Sequence, residues 1–211
     1  MRPRSMLFSV LVVCGTMMGA AAVWGQDKGK PEEAKAQPDS AQAQAMMQRM
    51  MEMATPGPQH KHLEKMAGKW AVSTRMWSNG PTAPPTESQG TSEMKMIFGG
   101  RYLLEEVKGD FNGMPFEGME IEGYDNSKKE HFIFWIDNMG TMMLIGTGSA
   151  DSTGKVLTYQ SIYDDPATGE KNKKMKQVVR VVSDDELAYE MYDVQQGKEI
   201  KTMEMSYKRV K

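Results

Sequence analysis

From residue 68 onward, apolar and polar positions alternate in short runs, and a turn signal closes each run after about eight to twelve residues. Trp70, Val72, Thr74 and Met76 share one parity with polar partners between them, the pattern of a half-buried strand. Met94, Met96 and Phe98 share the next face. Leu103, Glu105, Val107 and Phe111 share the one after, and Glu117, Met119 and Ile121 a fourth. Residues 131–136 are apolar on both parities, which predicts the most buried strand. Segments 141–149, 156–163, 175–182, 187–194 and 200–210 complete the series. In the last of these, parity turns Met203, Met205 and Tyr207 inward and Thr202, Glu204, Ser206 and Lys208 outward. Between the runs lie Gly99-Gly100, Asn112-Gly113, residues 125–128, Thr153-Gly154, residues 166–169, Asp184-Asp185 and Gln196-Gly197, all turn formers.

About ten strands joined by such short links pair antiparallel, because parallel neighbours need long crossovers. A sheet of this size curls and closes, which removes its exposed edges. The expected fold class is therefore all-β, an antiparallel barrel. One or two short helices precede it. Residues 45–54 are strong helix formers stopped by Thr55-Pro56-Gly57-Pro58, and residues 59–66 carry Leu63 and Met66 on one face. A barrel of this strand number encloses either a side-chain core or one small ligand.

The start of the chain changes the picture. Arg2 and Arg4, an apolar run over residues 6–13 and the small residues Gly19, Ala20, Ala21 and Ala22 read as a secretory signal peptide over 1–25, cleaved after Ala22 or Gly25. The apolar run is too short for a bilayer anchor. Residues 26–45 are rich in Lys, Glu, Ala, Gln and Pro and lack aromatics, so they read as a disordered tether. The expected organisation is then leader, tether, a helical segment over 46–67 and a barrel domain over 68–211. The expected location is periplasmic or secreted. Cys14 is the only cysteine. It lies inside the leader and follows Val13, where a lipoprotein site needs a small residue. The mature chain then has no disulfide and no thiol chemistry. Lys and Arg number 26 against 28 Asp and Glu, a net charge of −2, and losing Arg2 and Arg4 makes the chain more acidic. That charge leaves no footprint for nucleic acid, and no later segment is apolar enough for membrane insertion once the leader is gone.

Several strings resemble one family. Gly113-Met114-Pro115-Phe116-Glu117-Gly118, Gly123-Tyr124-Asp125, residues 135–141, Tyr163-Asp164-Asp165-Pro166 and Lys201-Thr202-Met203-Glu204 look like DUF1579, a bacterial family of unknown function. Thr55-Pro56-Gly57, His60, Leu63 and Gly68-Lys69-Trp70 are similar to that family's opening, and the likeness runs over about residues 46–209. More distantly, Gly68-Lys69-Trp70 at the start of the first strand is similar to the Gly-x-Trp of lipocalins and other calycins. That resemblance implies a lipocalin-like barrel with an arginine of the last strand, Arg209, stacked on the tryptophan.

Candidate chemistry is sparse. Of the 22 methionines, Met46, Met47, Met50, Met51 and Met53 crowd the first helix. They form either an apolar face that packs on the barrel or plugs its mouth, or a thioether set for Cu(I) joined by His60 and His62. No zinc-binding histidine spacing occurs. A haem-binding barrel of the nitrobindin type needs an axial histidine, and only His131 lies on a strand, where it reads as a surface residue at a strand end. No Gly-x-Ser-x-Gly occurs and no base is evident for a Ser or Thr nucleophile. Asp164-Asp165-Pro166 with Thr168-Gly169 reads as a turn, since it lacks the ligand spacing of a calcium loop.

The carboxylates carry more information. Glu105 and Glu117 fall on apolar faces, and Asp137 is in phase with Ile133 and Trp135. Buried carboxylates must be paired or protonated. They either pair with Arg101 or Arg180, anchor a ligand's polar end, or act as acid and base. The expected ligand site is Arg101, Glu105, Glu117, Trp135, Asp137, Met143, Tyr163 and Met205. The partner it implies is a small apolar or amphipathic molecule, with no cofactor, metal or catalytic residue assigned. The alternatives are a filled barrel that binds a protein partner through its Met-rich helix, and a carboxylate-dependent isomerase or hydrolase.

Overall fold

The computed structural model describes residues 39–211. The expected signal peptide and the tether up to residue 38 lie outside the described residues. Helix α1 spans Ser40–Ala54, so it begins ahead of the methionine-rich run and takes in the end of the segment read as tether. Helix α2 spans Pro58–Glu64. Gly57 precedes it, and proline opens its first turn, where its missing N–H costs nothing.

Ten strands follow: β1 Gly68–Met76, β2 Thr86–Ile97, β3 Tyr102–Phe111, β4 Met114–Asp125, β5 Glu130–Asp137, β6 Leu144–Ala150, β7 Val156–Tyr163, β8 Lys173–Ser183, β9 Glu186–Gln195 and β10 Lys198–Arg209. Each pairs antiparallel with its sequence neighbours, and β1 pairs with β10, closing the barrel. This is the antiparallel barrel expected from the turn spacing, preceded by two helices.

One end of the barrel is packed shut. Leu63 and Met66, at 0% and 1% exposure, enter a core with Trp70, Leu103, Ile133, Leu157, Tyr159, Leu187 and Tyr207. Arg209 latches this end. Its guanidinium carbon stands 4.1 Å over the Trp70 ring, and its N–H groups donate to Ala67 O at 2.7 Å, Lys65 O at 3.0 Å and Asp184 O at 2.6 Å. Trp70 Nε1 donates to Met66 O at 3.0 Å. Gly68 is required here. Its φ is +147°, and a Cβ would collide with the Arg209 guanidinium.

Three local expectations change. β5 is buried on one side only, with His131 and Ile133 at 1% exposure but Phe132, Phe134 and Ile136 half-exposed. A single closed sheet has one interior face, so even an apolar strand shows its other face to solvent. His131 is buried, not at the surface, because α2 covers its strand end. Its ring lies 4.9 Å from Tyr124 and 3.3 Å from Gln59 Oε1. The five α1 methionines neither pack on the barrel nor plug its mouth, since no residue of α1 is buried. The helix is held at its C-terminal end, where Asn126 Nδ2 donates to Met53 O and Thr55 O, each at 2.9 Å. Those carbonyls lack helical partners of their own. Asn126→Ala should therefore speed amide exchange over residues 50–54 by about tenfold with the barrel's melting temperature unchanged. Slowed or unaltered exchange would show that the contact does not hold the helix.

Candidate functional site

The strands enter the packed end at Gly68 and Arg209 and leave it at Met76 and Lys198. The half away from α2 is hollow. A cavity of about 370 Å³ opens there. Its walls are Val72, Thr74, Val107, Phe116, Trp135, Leu144, Tyr163, Met175, Met191, Met203 and Met205, with Met76, Met139 and Met142 at the mouth. Apolar walls of thioethers adjust to a guest's shape at small cost. This volume contradicts the filled barrel.

Trp135 is set in the wall by two features. It stacks on Phe116 at 6.2 Å between centroids, and it fits only because Gly118 has no side chain, since a Cβ there would strike the indole. Trp135 Nε1 donates to Asp137 Oδ2 at 2.8 Å, and Met139 N donates to Asp137 Oδ1 at 2.9 Å. Asp137 thus joins the wall to the 138–143 loop at the mouth.

The floor is polar. Glu105, Glu120, Tyr189, Tyr207 and Gln177 face the cavity. A second void of about 20 Å³ lies among Glu105, Glu120 and Glu122, room for one water. The register sets Glu105 directly opposite Glu120 across β3 and β4, and opposite partners project to the same face. Ser92 Oγ donates to Glu105 Oε1 at 2.6 Å, and the Tyr159 hydroxyl donates to Glu122 Oε1. Ser161 Oγ donates to Gln177 Oε1 at 3.1 Å, and Gln177 Nε2 donates to the Tyr189 hydroxyl.

Three acidic groups in one desolvated place resist ionisation. Burial pushes the Glu122 carboxyl up to about 7, against a hydrogen bond from Tyr159 that favours its charge. Burial, then the nearby Glu105 and Glu122, hold Glu120 well above the usual carboxylate range. Burial raises Glu105 too, opposed by Ser92 and Tyr207. No described group of three His, Cys, Asp or Glu side chains is placed to hold a metal ion.

Of the residues expected at the site, Glu105, Trp135, Asp137, Tyr163 and Met205 line the cavity. Three do not. Arg101 sits in the turn after β2, at the packed end, donating to Phe98 O at 2.9 Å. Glu117 points to solvent, 3.6 Å from Lys108 Nζ. Met143 is 59% exposed in the loop before β6. Nor do the buried carboxylates pair with arginine, since Arg180 reaches Glu190 instead. The parity error on β4 has a plain source. Met119 and Ile121 are apolar but face outward, whereas Phe116, Gly118, Glu120 and Glu122 face in. The signal was available. The two-residue turn Asn112-Gly113 fixes the hairpin register, and even steps back from it place Glu120 opposite an inward Glu105. Tyr159, Tyr189 and Gln177 carried no such local signal.

The family model of DUF1579, proteins of unknown function, matches residues 55–209. The chain belongs to the DUF1579 family. Among solved structures, this DUF1579 barrel is similar to Rv2717c from M. tuberculosis, with a TM-score of 0.52, 16% identity, and coverage of 74% of this chain and 100% of that one. It is also similar to the S-type phycobiliprotein lyase CPES from Guillardia theta, with a TM-score of 0.51, 10% identity, and coverage of 74% and 99%. At such identity these likenesses concern the fold, which is lipocalin-like. No curated protein matches the chain. No described helix is long and apolar enough to cross a membrane.

Proposed function

We propose that the protein binds a small hydrophobic or amphipathic molecule inside the barrel and releases it unchanged. The carrying observation is the 370 Å³ cavity, with apolar walls and a polar floor, open at the end away from α2. Apolar enclosure with a few placed polar groups is the usual make-up of a small-molecule site. The Guillardia theta protein of similar fold is named a lyase, and a fold does not by itself choose between binding and chemistry. Support for binding alone comes from the floor, where hydroxyls of Ser92 and Tyr159 hold Glu105 and Glu122 and no nucleophile–base pair is formed. The basic start, short apolar run and small residues of the first 25 positions support the proposal that it does so outside the cytoplasm.

The test is uptake of the neutral dye Nile red, with native mass spectrometry of protein from its own host. Val107 lines the cavity, and Val107→Trp fills it. Dye affinity should fall about tenfold or more, with the melting temperature within a few degrees of the parent. Undiminished uptake by the filled variant would place binding outside the barrel and end this reading.

A further inference from the structure

We infer that the molecule bound in the barrel carries an organic ammonium group, seated on Glu120 at the cavity floor. This rests on the reading of the barrel as a binding site and names the chemistry of its occupant.

Glu120 is 7% exposed and borders both the cavity and the small void beneath it. Its neighbours are provided for, Glu105 by Ser92 and Glu122 by Tyr159. Among the described residues no hydrogen bond reaches the Glu120 carboxyl. Held by no protein donor, this carboxyl faces an open cavity through which a donor can arrive.

The chain does not bring a cation to it. Lys108 turns outward to Glu117. Lys173 is bound to Asp165 and Asp193, at 2.8 and 3.0 Å. Lys201 is bound to Glu190 and Glu204, and Arg101 lies in a turn at the packed end. The charged groups that act on Glu120 are other carboxylates, Glu105 and Glu122. A ligand anion placed there would meet Glu120 with Glu105 directly beside it. An alcohol would supply one neutral hydrogen bond. An ammonium supplies a charge-assisted bond and relieves the repulsion among the acids.

A metal ion is the poorer candidate, since the described carboxylates do not converge into a coordination group. The walls also suit an organic cation. Trp135, Tyr189, Tyr207 and Phe116 present aromatic rings to the same space, and ring faces attract ammonium groups. The apolar half of the cavity takes the remaining carbon skeleton.

The experiment is displacement of Nile red from the full chain at pH 7 by decylamine, decan-1-ol and decanoic acid, each below its micelle concentration. The expected order is decylamine tightest by about tenfold or more over decan-1-ol, with decanoic acid weakest. Glu120→Gln should abolish the amine's advantage and leave the decan-1-ol affinity within about twofold. Titration calorimetry of the parent protein in buffers of different ionisation heat should show proton release with the amine and none with the alcohol, because Glu120 gives up its proton to bulk solvent as the ammonium arrives. That measurement stands even if the variant does not fold. Equal displacement by all three, or preference for decanoic acid, would overturn the ammonium assignment and leave the binding barrel intact. Failure of the dye and all three competitors to bind would remove the binding reading and this inference together.

Discussion

Trp70→Ala should lower the free energy of unfolding by about 3–5 kcal/mol. A domain of this kind is stable by only about 5–15 kcal/mol, so the variant would sit near the edge of folding. The reason is that Trp70 does three jobs at the packed end. It is fully buried, it satisfies the Met66 carbonyl at the exit of α2, and it is the platform for Arg209. Truncation leaves a cavity, an orphaned carbonyl and a guanidinium without its ring. Arg209→Ala should cost less, about 1.5–3 kcal/mol, mainly from unpaired carbonyls of Lys65, Ala67 and Asp184. Because the two side chains act on each other, the double variant should lose less than the sum. Gly68→Ala should resemble Arg209→Ala, since the added Cβ occupies the guanidinium's place. Urea unfolding of the four proteins reads all of this. A loss below about 1 kcal/mol for Trp70→Ala, or strict additivity, would show that the end is held by α2 packing alone.

Two buried groups should move stability with pH in opposite directions over overlapping windows, so they offset each other in the parent and single variants separate them. Loss with rising pH comes from the acidic floor. Glu122 ionises at about 7 in the folded barrel against an ordinary value of 4.5. Between those values the unfolded chain has lost a proton that the folded one keeps, so rising pH draws the equilibrium toward the unfolded state. Glu120 acts in the same direction. Loss with falling pH comes from His131. Burial, then the neighbouring His62 and His60, lower it to about 4 from 6.5, so falling pH protonates the unfolded chain first and stability is lost from 6.5 down through 4. Glu122 and His131 each contribute on the order of 3 kcal/mol over their windows. The readout is the urea midpoint from pH 4 to 8. Glu122→Gln should remove one loss with rising pH between 4.5 and about 7 and leave the His131 dependence. His131→Leu should do the reverse, and it also removes the buried, unpartnered Nδ1. A pH profile unaltered by Glu122→Gln would mean that the floor is ionised in the folded protein.

The architecture was readable because it depends on local properties repeated along the chain. Turn residues at short intervals leave antiparallel pairing as the only connection, and Gly68-Lys69-Trp70 with a late Arg209 marked where the barrel closes on itself. The site was half readable. Glu105, Trp135, Asp137, Tyr163 and Met205 have inward parity in strands whose faces differ clearly. Arg101 and Met143 failed because they lie in turns, where period-two counting does not hold. Glu117 failed because β4 carries glutamates on both faces and hydrophobicity chose the wrong one.

Strand number, order and antiparallel sense thus follow from the chain alone, since turn chemistry and alternation act over a few neighbouring residues. Which glutamates are buried, that Glu120 stands opposite Glu105 with no cation beside it, that α2 shuts one end over His131, and that the other half is hollow come from the folded arrangement. Those facts depend on pairing between distant strands and on how closed packing fills a volume. The pattern along one strand cannot report the desolvation and mutual repulsion that such pairing creates.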